Sequence, residues 1–313
     1  MDYLVTGGAG FIGSHLVERL VQLGKSVRIV DNFITGKREN IAPFLSKAEL
    51  VEGDLYDPAI CAKVCAGVRV VFHQAALPSV PKSVENPQAS HRSNLDATFN
   101  MLVAARESGV KRFVYAASSS AYGESPTQPK VETMPSSPLS PYAVQKLAGE
   151  QYCTAFARCY GFETVSLRYF NVFGHRQDPT SQYAAAIPAF VTSILADRSP
   201  TVYGDGEQTR DFTYIENVIQ ANLLAASAPK TSGEAMNIAC GESISVNEII
   251  KRINAFLGKD IRPTYVPERA GDIKHSWADI RLAGKLIGYK PVVSFSDGLA
   301  KAIDWYKQWA AGR

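Results

Sequence analysis

The 313-residue chain has little of what would mark a metal centre or a disulfide framework. Its five cysteines, at positions 61, 65, 153, 159 and 240, are odd in number and lack the paired spacing and companion histidines of a zinc site, so no metal is expected. They read as buried, reduced thiols. The five histidines are equally scattered; His15 and His73 fall inside apolar segments, where hydrogen-bonded packing is a simpler expectation than catalysis. Apolar stretches fall short of the roughly 18 to 20 residues that span a bilayer, and the first residues lack a charged leader and cleavage site. A soluble, cytoplasmic protein with no membrane partner is the expectation. A formal charge of +3, without a run of lysine or arginine, gives no footprint for nucleic acid, although it is compatible with an acidic small substrate. There is no internal repeat and no low-complexity linker.

What is present is a rhythm. Hydrophobic residues make up 46% of the chain, enough for one large domain or two smaller ones. Apolar, β-branched runs recur at Tyr3–Thr6, Val27–Asp31, Glu49–Glu52, Val70–His73, Phe113–Ala117 and Thr164–Arg168, with helical periodicity between them. Repeated βαβ units of this kind predict an α/β fold with a parallel, doubly wound sheet. After about residue 170 the rhythm breaks into a helix near Ala184–Asp197, a strand at Thr201–Tyr203, and helices near Ile215–Ala226, Val246–Leu257 and Ser296–Ala310. These pieces predict a smaller C-terminal α/β lobe, dividing the chain into 1–170 and 171–313 with crossing between the lobes allowed. The Ser-, Pro- and Thr-rich segment Gly123–Pro141 is long enough to be a functional loop on length alone.

The first strand runs into "TGGAGFIG", where Gly7, Gly10 and Gly13 are evenly spaced and Gly8, Gly10 and Gly13 satisfy G-x-G-x-x-G. Such a turn needs no Cβ between a pyrophosphate and the amide N–H groups at a helix start. The helix that follows carries Phe11, Ile12, Leu16, Val17 and Leu20 on one face, and Asp31 ends the next strand at the spacing of an acid that accepts adenosine ribose hydroxyls. This is a Rossmann-type dinucleotide site. A carboxylate at Asp31 repels a 2′-phosphate, which favours NAD over NADP, while Lys37 and Arg38 stand near enough to pull the other way unless they merely start a solvated helix. Asp54 and Leu55 follow the third strand; Asp54 either faces the adenine amino group or caps a helix.

In "SPYAVQKLAGE", Tyr142 and Lys146 lie one helical turn apart. A phenol is a poor base at neutral pH, but a neighbouring ammonium and a positive nicotinamide ring both favour the phenolate, so the pair can remove a hydroxyl proton. The strand ending in Ser118, Ser119 and Ser120 brings hydroxyls to the edge of the sheet that faces the ligand crevice.

In their order along the chain, "TGGAGFIG", "DNFITGKREN", "HQAA", "SSSAYG", "SPYAVQK", "LRYFNVFG", "GDGEQTRDFTYI" and "RAGDIKHSWAD" make the sequence resemble the extended short-chain dehydrogenase/reductase family, and within it the nucleotide-sugar 4-epimerases. The resemblance covers nearly the whole chain. It implies Ser118, Tyr142 as base and Lys146 as the cofactor-ribose ligand that tunes it, with Ser119 and Ser120 as further substrate contacts. It adds Asn32, Gly36, Ala75, Asn94 and Tyr169 to the cofactor site of Gly7, Gly10, Phe11, Ile12, Gly13, Asp31, Asp54 and Leu55. Asn171, Arg210 and Arg269 would meet a UDP diphosphate, for which guanidinium forks are suited, and Asp272 the uridine ribose.

Related dehydratases carry Asp-Glu directly after the Ser/Thr, and related decarboxylases a glutamate two positions after it; here those positions are Ser119 and Ser120. The resemblance thus implies redox-neutral C4 epimerisation through a 4-keto sugar. Ser276 matches a wall position that is small where 2-acetamido sugars are accepted, which points to UDP-GlcNAc and UDP-GalNAc with UDP-glucose and UDP-galactose also accepted. The alternatives are a UDP-glucuronate 4-epimerase, a dehydrogenase with net cofactor turnover, and a catalytically inactive nucleotide sensor on the same fold. The family also implies a homodimer through the helices around Leu95–Glu107 and Tyr142–Tyr160, whose apolar stripes could equally be internal core.

Overall fold

The computed structural model describes residues 1–180, 185–268 and 274–312. In chain order its strands are β1 (Tyr3–Thr6), β2 (Val27–Asp31), β3 (Ala48–Glu52), β4 (Val70–His73), β5 (Arg112–Ser118), β6 (Glu163–Tyr169), β7 (Val172–Phe173), β8 (Thr201–Tyr203), β9 (Thr209–Arg210), β10 (Thr213–Tyr214), β11 (Glu234–Ile238), β12 (Ile244–Ser245), β13 (Thr264–Val266) and β14 (His275–Ser276). The helices are α1 (Phe11–Gln22), α2 (Arg38–Ile41), α3 (Pro58–Cys65), α4 (Val80–Glu85), α5 (Pro87–His91), α6 (Ala97–Glu107), α7 (Pro141–Tyr160), α8 (Ala186–Leu195), α9 (Ile215–Ser227), α10 (Val246–Leu257), α11 (Arg281–Ile287) and α12 (Phe295–Ala311).

Seven strands form one parallel sheet in the order β11-β6-β5-β4-β1-β2-β3. The six strands read from the sequence all lie in it, because helices on both faces require near-continuous apolar runs. β4 is buried along its whole length. The order reverses between β1 and β4, and the crevice outside their C-terminal ends is where such sheets receive ligands.

Two helices matter most for what lies in that crevice. α1 starts directly from the glycine turn and buries Leu16, Val17 and Leu20 against the sheet, each worth about 2 kcal/mol of apolar burial. α7 starts with Ser140, whose side chain accepts from the Ala143 N–H (3.2 Å), with Pro141 pre-set for the first turn. It ends at Gly161, left-handed at φ 64°, whose N–H reaches the Ala157 carbonyl.

The seventh strand, β11, comes from the C-terminal half and pairs with β6, and α9 returns beside β5 and β6. The smaller lobe is built of short pieces: β7 with β10, β9 between β12 and β14, β8 with β13, and α8 packed on α10 and α12. The Gly123–Pro141 loop is stitched to this lobe. Lys130 N–H donates to Trp277 O (2.8 Å), Asp279 N–H to Lys130 O (2.9 Å), and Gln128 Nε2 to His275 O (2.6 Å).

None of the five cysteines is in a disulfide, and Cys61, Cys65 and Cys153 are buried as expected. Cys159 is exposed and Cys240 half-buried, because the last turn of α7 projects from the sheet and Cys240 follows β11 into a loop. His73 is a packing residue, held between the Thr6 and Thr98 hydroxyls (2.9 and 3.0 Å), and burial pushes its pKa down to about 3. His15 is likewise pushed down to about 3, by burial and by the adjacent His175, and its Nδ1 pairs with Phe11 O (2.8 Å).

α7 meets β5 at Gly149, where a Cβ would lie 2.4 Å from the Tyr115 hydroxyl oxygen. Replacing Gly149 by alanine should therefore destabilise the protein by about 1–3 kcal/mol. The displaced helix should also lower turnover by up to about a hundredfold. Thermal melts and initial rates on the same preparation check both.

Candidate functional site

A cleft of about 1140 Å³ opens along the C-terminal ends of β1, β2, β4, β5 and β6 and continues into the smaller lobe. Its floor is Gly7, Gly10, Phe11, Ile12 and Gly13. Gly7 is left-handed at φ +63°, and a Cβ there would meet the Ala75 backbone at 2.8 Å. One on Gly13 would fall 2.1 Å from the Gly7 carbonyl oxygen. The turn is thus a cradle that only glycines can line, with the start of α1 pointing into it.

Asp31, Asn32, Gly36, Asp54 and Leu55 line one end of the cleft. Asp31 is buried, and its carboxylate accepts the Ala9 N–H (2.9 Å) and the Phe33 N–H (2.8 Å). Burial nonetheless pushes its pKa up, since two amides do not replace the hydration of a charge. A ribose diol would add the donors that this carboxylate still has capacity to accept. Gly36 closes on it so tightly that a Cβ would lie 2.7 Å from its Oδ1.

The two cations that could have received a 2′-phosphate are engaged elsewhere. Lys37 pairs with Asp178 (2.9 Å), and Arg38 pairs with Glu52 and covers the Phe33 ring. Asp54 does not cap the following helix; Asp57 does, accepting the Ala59 N–H at 2.8 Å. Asp54 instead faces the cleft, accepting from Tyr56 N–H (2.9 Å) and Asn32 Nδ2 (3.4 Å).

Farther along, Ala75, Tyr169, Ser118, Ser119, Ser120 and Tyr142 form the central wall. Tyr142 and Ser118 meet on this wall, and Ser118 Oγ accepts from the Ser120 hydroxyl (2.9 Å) and N–H (3.2 Å). Lys146 lies behind this wall rather than in it. Its ammonium donates to the Ala116 carbonyl (2.8 Å) and sits 5.1 Å from the centre of the Tyr115 ring, and burial lowers its pKa to about 8. Burial raises the Tyr142 pKa, opposed by the Ser118 hydrogen bond.

Asn94, expected as a cofactor contact, is also one layer back. Its side chain accepts the Leu77 N–H (2.7 Å) and donates to Ser90 Oγ (3.1 Å) and Gln145 Oε1 (2.8 Å). It therefore ties the loop after β4 to α7. Tyr169 does reach the cleft, held by Gln74 (3.2 Å) and Asn222 (2.8 Å).

Asn171, Arg210 and Ser276 also line the cleft. Asn171 Nδ2 donates to Asp211 O (2.8 Å), and Arg210 donates to the carbonyls of Thr209 (2.8 Å) and Lys274 (3.2 Å). Arg269 and Asp272 lie outside the described residues. Sequence reasoning missed a strap, Arg176–Asp178, that also lines the cleft. Arg176 grips Glu18 of α1 (2.6 Å), while Asp178 reaches Lys37, so the strap crosses between the smaller lobe and the cofactor half. The only hint in the sequence was the charged "HRQDP" after β7.

Residues 3–239 match the model of the NAD dependent epimerase/dehydratase family. The chain belongs to that family. It is 41% identical to the UDP-N-acetylglucosamine 4-epimerase from Methanobrevibacter ruminantium M1 solved in complex with UDP-N-acetylmuramic acid, with a TM-score of 0.94 over 98% of each chain. The UDP-glucose 4-epimerase of Thermotoga maritima, solved with UDP-glucose, is 36% identical with a TM-score of 0.94 over 99% of this chain and 100% of that one. The UDP-glucuronic acid 4-epimerase of Bacillus cereus, in complex with UDP-glucuronic acid and NAD, is 34% identical with a TM-score of 0.90 over 99% and 100%. As a member of the NAD-dependent epimerase/dehydratase family, the protein is an enzyme of the epimerase class with NAD as its cofactor. The glycine cradle and the half-satisfied Asp31 fit that cofactor.

Gly13→Ala should weaken NAD binding by at least about a hundredfold, since the clash is with backbone that cannot yield cheaply. Gly24→Ala, strained at φ +67° but in open space, should lower stability by about 1 kcal/mol and leave NAD affinity intact. Fluorescence titration with NADH compares the two.

Proposed function

We propose that this enzyme inverts C4 of a UDP-hexose through a 4-keto sugar, interconverting UDP-GlcNAc and UDP-GalNAc and also accepting UDP-glucose and UDP-galactose. The observation that carries the reading is the meeting of Ser118, at the end of β5, with Tyr142 of α7 on the cleft wall, followed by Ser119 and Ser120 on the same wall. Those two hydroxyls stand where elimination or decarboxylation would call for a carboxylic acid, so the wall is equipped to move one proton and no more.

Tyr142 takes the O4 proton as base and returns it as acid. Ser118, beside the phenol on the same wall, orients O4 and donates a hydrogen bond as charge develops. Lys146 keeps a positive charge behind that wall, one helical turn along α7 from Tyr142. NAD, when bound, supplies the acceptor and donor for the C4 hydride and a cationic ring that favours the Tyr142 phenolate. Inversion requires the sugar to present its other face between the two transfers, so the nucleotide must be held while the sugar turns. Arg210 and Asn171, both in the cleft lining, are our assignments for the diphosphate.

The small side chain of Ser276 on the cleft wall supports acceptance of a 2-acetamido group. The similarity to the Methanobrevibacter enzyme, whose name carries that sugar, supports it further. Anaerobic incubation with UDP-GlcNAc, UDP-glucose and UDP-glucuronate, with products separated and absorbance followed near the NADH band, tests the whole reading. We expect a C4 epimer without stoichiometric NADH, fastest from UDP-GlcNAc. Tyr142→Phe should lower turnover by at least about a thousandfold while retaining NAD. Ser276→Tyr should lose the acetylated substrate selectively. Preferred turnover of UDP-glucuronate, or accumulation of NADH, would replace this assignment with one of its alternatives.

The outer face of α6 and α7 exposes Phe99, Val144, Tyr152 and Tyr160, with Phe99 against Tyr152 at 5.1 Å. We assign this face to a homodimer contact. Sedimentation velocity should give the mass of two chains, and Phe99→Glu with Tyr152→Glu should give that of one.

A further inference from the structure

Three of the residues assigned to the UDP-sugar hang on one residue that is not itself in the cleft lining. Asp211 is fully buried directly after β9. Its Oδ1 accepts the Cys240 N–H (2.9 Å), and its Oδ2 accepts the N–H groups of Gly241 (2.9 Å) and Ala278 (3.2 Å). Its own N–H donates to the Ser276 carbonyl (2.9 Å), and its carbonyl accepts from Asn171 Nδ2 (2.8 Å). Arg210 precedes it in the chain. The carboxylate thereby joins β9, the loop after β11 and the chain after β14, while its peptide groups fix the two remaining cleft residues.

Such a junction is expensive to keep. Burial pushes the Asp211 carboxyl up to about 6 against the pull of its amide donors, and no lysine or arginine pairs with it among the described residues. An apolar residue would avoid that cost, but it would leave three buried N–H groups without an acceptor. What the charge secures is the relative placement of three strands too short to place themselves, since β9, β12 and β14 have two residues each.

We infer that Asp211 is a positioning residue for the UDP-sugar, holding Arg210, Ser276 and Asn171 in one arrangement. This rests on the reading above that those three residues meet the substrate. Asp211→Asn keeps the shape but turns an NH₂ toward one of the three amide donors. It should raise the Kd for UDP and the KM for the UDP-sugar by about tenfold or more, with kcat within about threefold and NADH affinity within about twofold of wild type.

The experiment is UDP titration by calorimetry, NADH titration by fluorescence, and steady-state kinetics on wild type and Asp211→Asn. A variant that binds UDP as wild type does overturns the inference. So does one that loses NADH affinity and kcat in step with UDP affinity, since that is general loosening of the fold. Wild type that does not bind UDP overturns the nucleotide assignment itself and this inference with it. Should Asp211→Asn fail to fold, Gly241→Ala disturbs a single donor held at φ +75° with room for a Cβ. It should raise the UDP Kd in the same direction by a smaller factor, and an unchanged value there overturns the inference.

Discussion

The approach of α7 to β5 is the contact on which the chemistry rests. Gly149 lets the helix lie against the buried Tyr115, and one turn earlier the Lys146 ammonium crosses to the Ala116 carbonyl. Strand and helix are thus fastened two residues before Ser118 and one turn after Tyr142. The convergence of the two hydroxyls follows from backbone packing rather than from the hydroxyls themselves. The fastening has an electrostatic cost, visible in the lowered Lys146 pKa, because a carbonyl and a ring face replace water around a buried ammonium. That cation is held in place whether or not substrate is present, which is the arrangement a site needs if charge is to develop nearby without rearranging its surroundings.

Each half of the cleft is organised by a buried carboxylate that accepts backbone N–H groups, and the two differ in what remains open. Asp31 uses two amides and still faces the cleft, so its raised pKa marks unfinished coordination that donors from a ligand can complete. Asp211 uses three amides and is fully buried outside the cleft lining, so its raised pKa marks a structural cost carried within the fold. The same physical signature therefore separates a binding group from a positioning group once geometry is added.

The sheet was legible where burial on both faces forces an unbroken apolar run, as in β1, β4 and β5. β11 was not legible, because Asn237 interrupts its apolar run. That side chain is buried and satisfied by the Tyr122 hydroxyl (2.7 Å) and the carbonyls of Lys130 (3.0 Å) and Asp279 (3.2 Å), contacts contributed by segments far away in the chain. Motif spacing gave the cleft residues well but not their depth. Asn94 and Lys146 occupy the expected positions along their helices and yet lie behind the wall, since spacing fixes direction around a helix and not the layer it faces. The strap was invisible for a related reason: Arg176 and Asp178 acquire partners only when Glu18 and Lys37 are brought to them by the fold.

That strap also bears on how the two halves move. The chain leaves the sheet after β6, returns to it with α9 and β11, and leaves again, so the smaller lobe is not hung on a single linker. Ion pairs from Arg176 to Glu18 and from Asp178 to Lys37 cross the same boundary. Separating the lobes as rigid bodies would break these together, and the partly buried pairs among them are screened by salt less than surface pairs are. A cleft braced in this way suits a reaction in which the bound sugar changes its face while the walls keep theirs. In the reaction proposed above, the freedom that inversion at C4 demands would then belong to the substrate about its diphosphate, and the protein's task would be to hold the cleft walls still.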